Sequence, residues 1–136
     1  ARKLVLQALY QWHMAGSDLP DIEAQFRASN DMSKIDSQYF CRLLHGVPEK
    51  LGLIESQFEL FLDRQLKQLN PIELTILRLS SFELLYCLEI PYRVVLDEAV
   101  TLAKAFGSQD GHRYVNGVLN NLARESRKTE IKSEHE

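Results

Sequence analysis

The stretch KAFGSQDGHRYVN, from Lys104 to Asn116, gathers a lysine, an arginine, a histidine, two aromatic rings and two amides around two glycines. Side chains of these types hold single-stranded RNA: cations pair with phosphates, flat rings stack on exposed bases, and amides read base edges. A helix starting at Asp110 to Arg113 presents backbone N–H groups with no intrahelical partner, a ready phosphate site, and Arg113 adds a full positive charge beside it. Lys104 falls near the end of the preceding helix, one short turn away. Tyr114 brings a ring with a polar tip, and Asn116 offers a donor and an acceptor. A second reading stands beside this one, with Tyr114 in the core and Asn116 bonding along its own helix. Gly117 bears on the choice, because glycine inside a helix costs about 0.5 to 1 kcal/mol relative to alanine. Something must come close there, a neighbouring helix or a ligand, and close helix packing is the commoner cause. Ser108 or Asp110 can cap the helix, and the Asp110 carboxylate would moderate the affinity for an anion.

Nothing comparable points to catalysis. His13, His45, His112 and His135 are scattered, and no metalloprotease, P-loop or dinucleotide-binding pattern is present. Cys41 and His45 share a helix face at i, i+4, but no third partner is visible, and a core cysteine is the better reading. Asp97 and Glu98 are adjacent and point to different parts of a helix surface, so they form no acid pair. Cys41 and Cys87 lie far apart without metal-ligand spacing, as expected of buried thiols in a reducing cytoplasm. The expectation is a chain that is not an enzyme and carries no metal or cofactor.

The elements that must position these residues follow from periodicity. A chain of 136 residues with 45% hydrophobic residues suits one compact domain. No run approaches the ~20 apolar residues that cross a bilayer, and the opening lacks the features of a signal peptide. A soluble, cytoplasmic protein is expected. The net charge of -3 argues against a broadly basic polyanion binder but leaves room for a local basic site. The charge is asymmetric: Arg2 and Lys3 open the chain without an acid, eight acids against four bases occupy Asp18 to Glu59, and five bases against two acids run from Arg113 to Lys132. If the first and last helices pack together, a basic face results, although ordinary solvated helix residues give the same pattern.

Val5, Ala8, Leu9 and Trp12 form one apolar stripe, with Lys3, Gln7, Tyr10 and Met14 on a neighbouring face, and Gly16 and Ser17 end that helix. A short second helix starts near Pro20. The long segment that follows is expected to break at Gly46 and Pro48. Asn70 and Pro71 mark a sharp restart, with Ile72, Ile76, Leu79 and Phe82 or Glu83 at helical spacing to about Cys87. Another helix runs from Pro91 to Gly107, and the last buries Val115, Val118, Leu119 and Leu122. The result is an all-α fold of about seven helices, one domain over residues 1–127 with subdomains of about 1–65 and 66–127. Residues 128–136 read as a polar tail that frays.

The segments ALYQW (Ala8 to Trp12), LNPIELTILRLSSFELLY (Leu69 to Tyr86), IPYRVVLDEAVTLAKAFG (Ile90 to Gly107) and RYVNGVLNNLAR (Arg113 to Arg124) together resemble the NusB family of bacterial transcription antitermination factors. The resemblance covers Ala1 to about Arg127. It implies an all-helical, non-catalytic protein that binds boxA RNA as a heterodimer with the ribosomal protein NusE and joins an antitermination complex on RNA polymerase that supports ribosomal RNA synthesis. Carried over by position, the RNA side comprises Arg2, Lys3, Tyr10, Lys104, Phe106, Asp110, Arg113, Tyr114 and Asn116. The NusE side uses Glu73, with Arg78 and Glu83. The chain departs from the family at several points. The family carries an arginine-rich segment ahead of the first helix, whereas this sequence begins at ARK, so fewer phosphate contacts are expected. Tyr114 stands where phenylalanine is common, Asn120 where an acid is expected, and Gly111 where serine is frequent. Two alternatives remain open: a NusB-like RNA-recruiting domain of a ribosomal RNA methyltransferase, against which the polar ending at Glu136 weighs, and a protein-binding helical scaffold. A homodimer that hides the RNA face also stays open.

Overall fold

The computed structural model describes residues 1–134. The helices are α1 (Arg2–Ala15), α2 (Leu19–Ser29), α3 (Ser37–Glu49), α4 (Leu51–Phe58), α5 (Pro71–Tyr86), α6 (Tyr92–Phe106), α7 (Gly111–Ser126) and α8 (Lys128–Glu134), with 3₁₀ turns at Met32–Lys34, Glu59–Phe61 and Leu66–Gln68. The fold is all-α among the described residues, with one helix more than the periodicity suggested. No described helix is long and apolar enough to cross a membrane. The chain divides into two compact units, Ala1–Lys50 and Leu51–Glu136. The division precedes the boundary near residue 65 suggested by sequence, because α4 buries Ile54 and Phe58 and packs with α5 and α7.

In the amino-terminal unit, α2 and α3 both pack on α1, which buries Val5, Leu6, Ala8 and Leu9. The second stripe of α1 faces water: Lys3, Gln7 and Met14 are exposed and Tyr10 is half-buried. Gly16 ends the helix at φ 66, where its N–H reaches the Trp12 carbonyl, a left-handed conformation that costs glycine nothing. Asp36 starts α3 by accepting the Tyr39 N–H at 3.0 Å. The expected break at Gly46 and Pro48 comes later, at Lys50, since Pro48 fits inside the last turn of α3.

Cys41 is half-buried, not a core residue as expected, and it belongs to a polar tie between α2 and α3. Arg27 Nη2 donates to Cys41 Sγ at 2.7 Å and Arg27 Nε to Glu23 at 3.0 Å, while the other Glu23 oxygen meets His45 Nε2 at 2.6 Å. The His45 bond, helped by Arg27 and Cys41, holds the Glu23 carboxyl below its ordinary value.

The carboxy-terminal unit is built around α5. Its start follows the sequence signals, with Pro71 in the first turn and Asn70 Oδ1 accepting the N–H groups of Ile72 and Glu73. Its interior does not follow the expected single stripe: every residue from Glu73 to Leu84 is buried, with α4, α6 and α7 packed on the helix. A helix buried all round must neutralise its polar residues internally. Arg78 therefore pairs with Glu55 at 3.0 Å, and Thr75 bonds back to the Pro71 carbonyl at 2.7 Å.

The end of α5 is closed from a distance by Arg127. Read from sequence as a base near the solvated tail, Arg127 is only 4% exposed. Its guanidinium donates to the carbonyls of Leu84 at 2.9 Å, Ile90 at 2.8 Å, Glu83 at 3.2 Å and Cys87 at 3.1 Å. Glu130 balances the charge, accepting from Arg127 Nη1 at 2.5 Å and from the Tyr92 N–H at 2.9 Å, so one ion pair joins the end of α5, the start of α6 and α8. Residues 128–134 thus form a helix instead of fraying, further held by Arg93 Nε donating to Glu134 at 2.6 Å. His135 and Glu136 of the expected tail lie outside the described residues. Arg127→Met should cost about 3 kcal/mol or more, because it takes the guanidinium from four carbonyls and leaves the Glu130 charge without its cation. Arg127→Lys should recover only part of that, since an ammonium cannot reach the four carbonyls together; urea denaturation of the three proteins at one pH checks the order.

Candidate nucleic-acid interface

The turn between α6 and α7 is anchored by a buried acid. Glu73, 6% exposed, accepts the Ser108 hydroxyl at 2.8 Å, and the Ser108 carbonyl in turn accepts the Gly111 N–H at 3.1 Å. A Cβ on Gly111 would fall 1.5 Å from Glu73 Oε1, so the bare glycine backbone is what lets the carboxylate occupy this place. Neither Ser108 nor Asp110 caps α7 as expected. The Ser108 hydroxyl is committed to Glu73, and Asp110 makes no side-chain cap bond although it stands at the cap position.

Around this turn Lys104, Asp110, Arg113 and Asn116 are exposed, while Phe106 and Tyr114 are half-buried. Arg113 and Asn116 line a shallow depression of about 450 Å³ between α6 and α7, together with Asp97, Thr101 and His112. Arg2, Lys3 and Tyr10 belong to the amino-terminal unit, where Lys3 is exposed and the Arg2 guanidinium lies 5.7 Å from the centroid of the Tyr39 ring.

Tyr114 is neither a plain core residue nor an uncovered stacking ring. Its hydroxyl donates to Asp63 Oδ1 at 3.0 Å and accepts the Asp63 N–H at 3.3 Å, and the Arg64 guanidinium lies 4.5 Å from its ring centroid. Arg64 also grips Asp63 through Nε at 2.6 Å and Nη2 at 3.2 Å. Burial raises the Tyr114 hydroxyl above its ordinary pKa, and Arg64 with Tyr114 holds the Asp63 carboxyl below its own. Sequence reasoning missed Asp63 and Arg64. They sit in a non-periodic link between two 3₁₀ turns, Asp63 being 51 positions from Tyr114, and nothing local announces the pairing. A second depression, of about 550 Å³, opens beside Arg64 and Tyr114, lined also by Gln68, Asn70, Glu73 and Asp110.

One further expectation is corrected. Gly117 is exposed, and a Cβ there would meet nothing within 4 Å, so close helix packing does not explain it. The three residues assigned to a protein partner face inward: Glu73 is 6%, Arg78 9% and Glu83 1% exposed. The physical reason is the position of α5 at the centre of its unit, where Glu73 anchors the turn, Arg78 answers Glu55, and the Glu83 backbone carbonyl receives Arg127.

The NusB family model matches residues 1–124. The transcription antitermination protein NusB of Legionella pneumophila (strain Corby) is 59% identical over 136 residues, covering 100% of this chain and 92% of that protein. The NusB of Pseudomonas savastanoi pv. phaseolicola is 52% identical over 133 residues, covering 98% and 81%. Among solved structures, T. maritima NusB superposes with a TM-score of 0.82 at 30% identity, covering 91% of this chain and 88% of that one. With a family match over most of its length, full-length relatives above half identity and the same helical architecture, the chain belongs to the NusB family.

Proposed function

We propose that the chain is a non-catalytic transcription antitermination factor. In this reading it binds boxA-type single-stranded RNA together with the ribosomal protein NusE and acts within an RNA polymerase antitermination complex during ribosomal RNA synthesis. The observation that carries the reading is the exposed group at the α6–α7 turn, where Lys104, Arg113 and Asn116 face water on the two helices that also carry the half-buried rings of Phe106 and Tyr114. Cations next to an aromatic side chain are what a flexible, unpaired strand needs, one for its phosphates and the other for its bases. Phe106 closes α6 beside them, and Arg2, Lys3 and Tyr10 would add a contribution from α1. NusE would be met on the α5 side, where Glu73, Arg78 and Glu83 are 6%, 9% and 1% exposed in the chain alone.

Titration of a short boxA-type RNA over a range of salt, with and without NusE, tests the reading. Affinity should fall linearly with salt on logarithmic axes and rise markedly when NusE is present; no binding in either case would leave only the fold. Arg113→Gln should weaken binding and lower the salt slope by about 0.7, the contribution of one phosphate contact on a single strand. Asp110→Asn should tighten RNA binding at matched salt without loss of stability, because the carboxylate makes no cap bond and only repels phosphate. An unchanged or larger dissociation constant would count against this placement of the site. Gly117→Ala should raise stability by about 0.5 to 1 kcal/mol, as the space around it is open, while weakening RNA binding if the strand comes against that face. A thermal melt and a titration of the same variant read both effects.

A further inference from the structure

Arg64 is the cation nearest the Tyr114 ring, yet its charge is poorly placed for a phosphate. Asp63 already takes its Nε at 2.6 Å and its Nη2 at 3.2 Å. The depression it lines also holds two more carboxylates, Glu73 and Asp110, which repel an anion. What Arg64 does present is a plane. The guanidinium carbon lies over the Tyr114 ring, 4.5 Å from its centroid, and the Arg64 side chain is 46% exposed to solvent. A guanidinium fixed over an aromatic ring is a flat, weakly hydrated surface on which a nucleobase can stack. Gln68 and Asn70 line the same depression and bring amide groups within reach of a base edge.

We propose that Arg64 is a stacking platform for an unpaired RNA base, seated as the upper tier over Tyr114, with Asp63 as the positioning residue that holds the guanidinium flat. This rests on the RNA-binding reading above and deepens it, because it moves the stacking surface from the Tyr114 ring to the arginine that covers it. Charge serves here to orient the platform, and planarity serves to bind.

The test is titration of a boxA-type RNA carrying single 2-aminopurine substitutions with the full chain and two variants, over a range of salt. Arg64→Lys keeps the charge and removes the plane. It should weaken binding roughly tenfold, within the range expected for one stacked base, leave the salt slope unchanged, and abolish the fluorescence quenching at one nucleotide. Asp63→Ala should also weaken binding and reduce the same quenching, although it removes a negative charge near the strand. Wild-type affinity in Arg64→Lys would overturn the platform, and so would a slope lowered by about 0.7, which marks a phosphate contact. Tighter binding by Asp63→Ala would show a merely repulsive acid and overturn its positioning role. In each of these outcomes the wild-type chain still binds RNA, so the wider reading survives. Absence of salt-dependent binding by the wild-type chain would sink both.

Discussion

The carboxy-terminal unit depends on solving one problem: a helix buried along nearly its whole length still ends in carbonyl groups that need donors. The Cys87 N–H caps the Glu83 carbonyl at 3.0 Å, but the last carbonyls of a helix outnumber the donors that its own backbone can return to them. Arg127 solves this with a fork of N–H groups spread over four carbonyls. A buried guanidinium is costly unless every side of it is answered, and Glu130 completes the answer while also meeting the first N–H of α6. The same ion pair that closes one helix therefore aims the next, and α6 carries Lys104 and Phe106 to the turn where the candidate interface lies.

At its other end α5 does the complementary task. Asn70 caps the helix, and three residues later Glu73 leaves its side to hold the α6–α7 turn through Ser108. Both ends of the central helix thus fix the flanking helices through polar groups, while its apolar residues supply the bulk of the burial. The interface follows from this division. Residues taken up in holding the unit together are inward and neutralised, and those left in water at the turn include Lys104, Arg113 and Asn116 beside the single carboxylate of Asp110.

Much of this was legible in the sequence where the cause is local. Asn70 followed by Pro71, Gly16 after the first apolar stripe, and the apolar faces of α1, α6 and α7 are short-range signals, and each element formed where its signal stood. The basic and aromatic residues of the turn were legible by type for the same reason. What stayed hidden depends on partners far along the chain. Arg127 reads as a surface base because its acceptors lie more than thirty positions away. Glu73, Arg78 and Glu83 entered as a partner set through the family resemblance alone, and their burial follows from the central position of α5, which no local pattern announces. Arg64 and Asp63 sit in a link without period, so no pattern could join them to Tyr114. Pro48 misled by a few positions, since a helix can hold a proline in its final turns when the lost donor is the only cost.

The crowding between positions 73 and 111 carries its own lesson. A carboxylate tucked against a bare backbone makes the two sites a matched pair: any side chain at 111 evicts the acid, and an acid that has been evicted must look for company elsewhere. A serine at the second site would set its Cβ where the carboxylate oxygen now lies, so the acid and that side chain could not both keep these places.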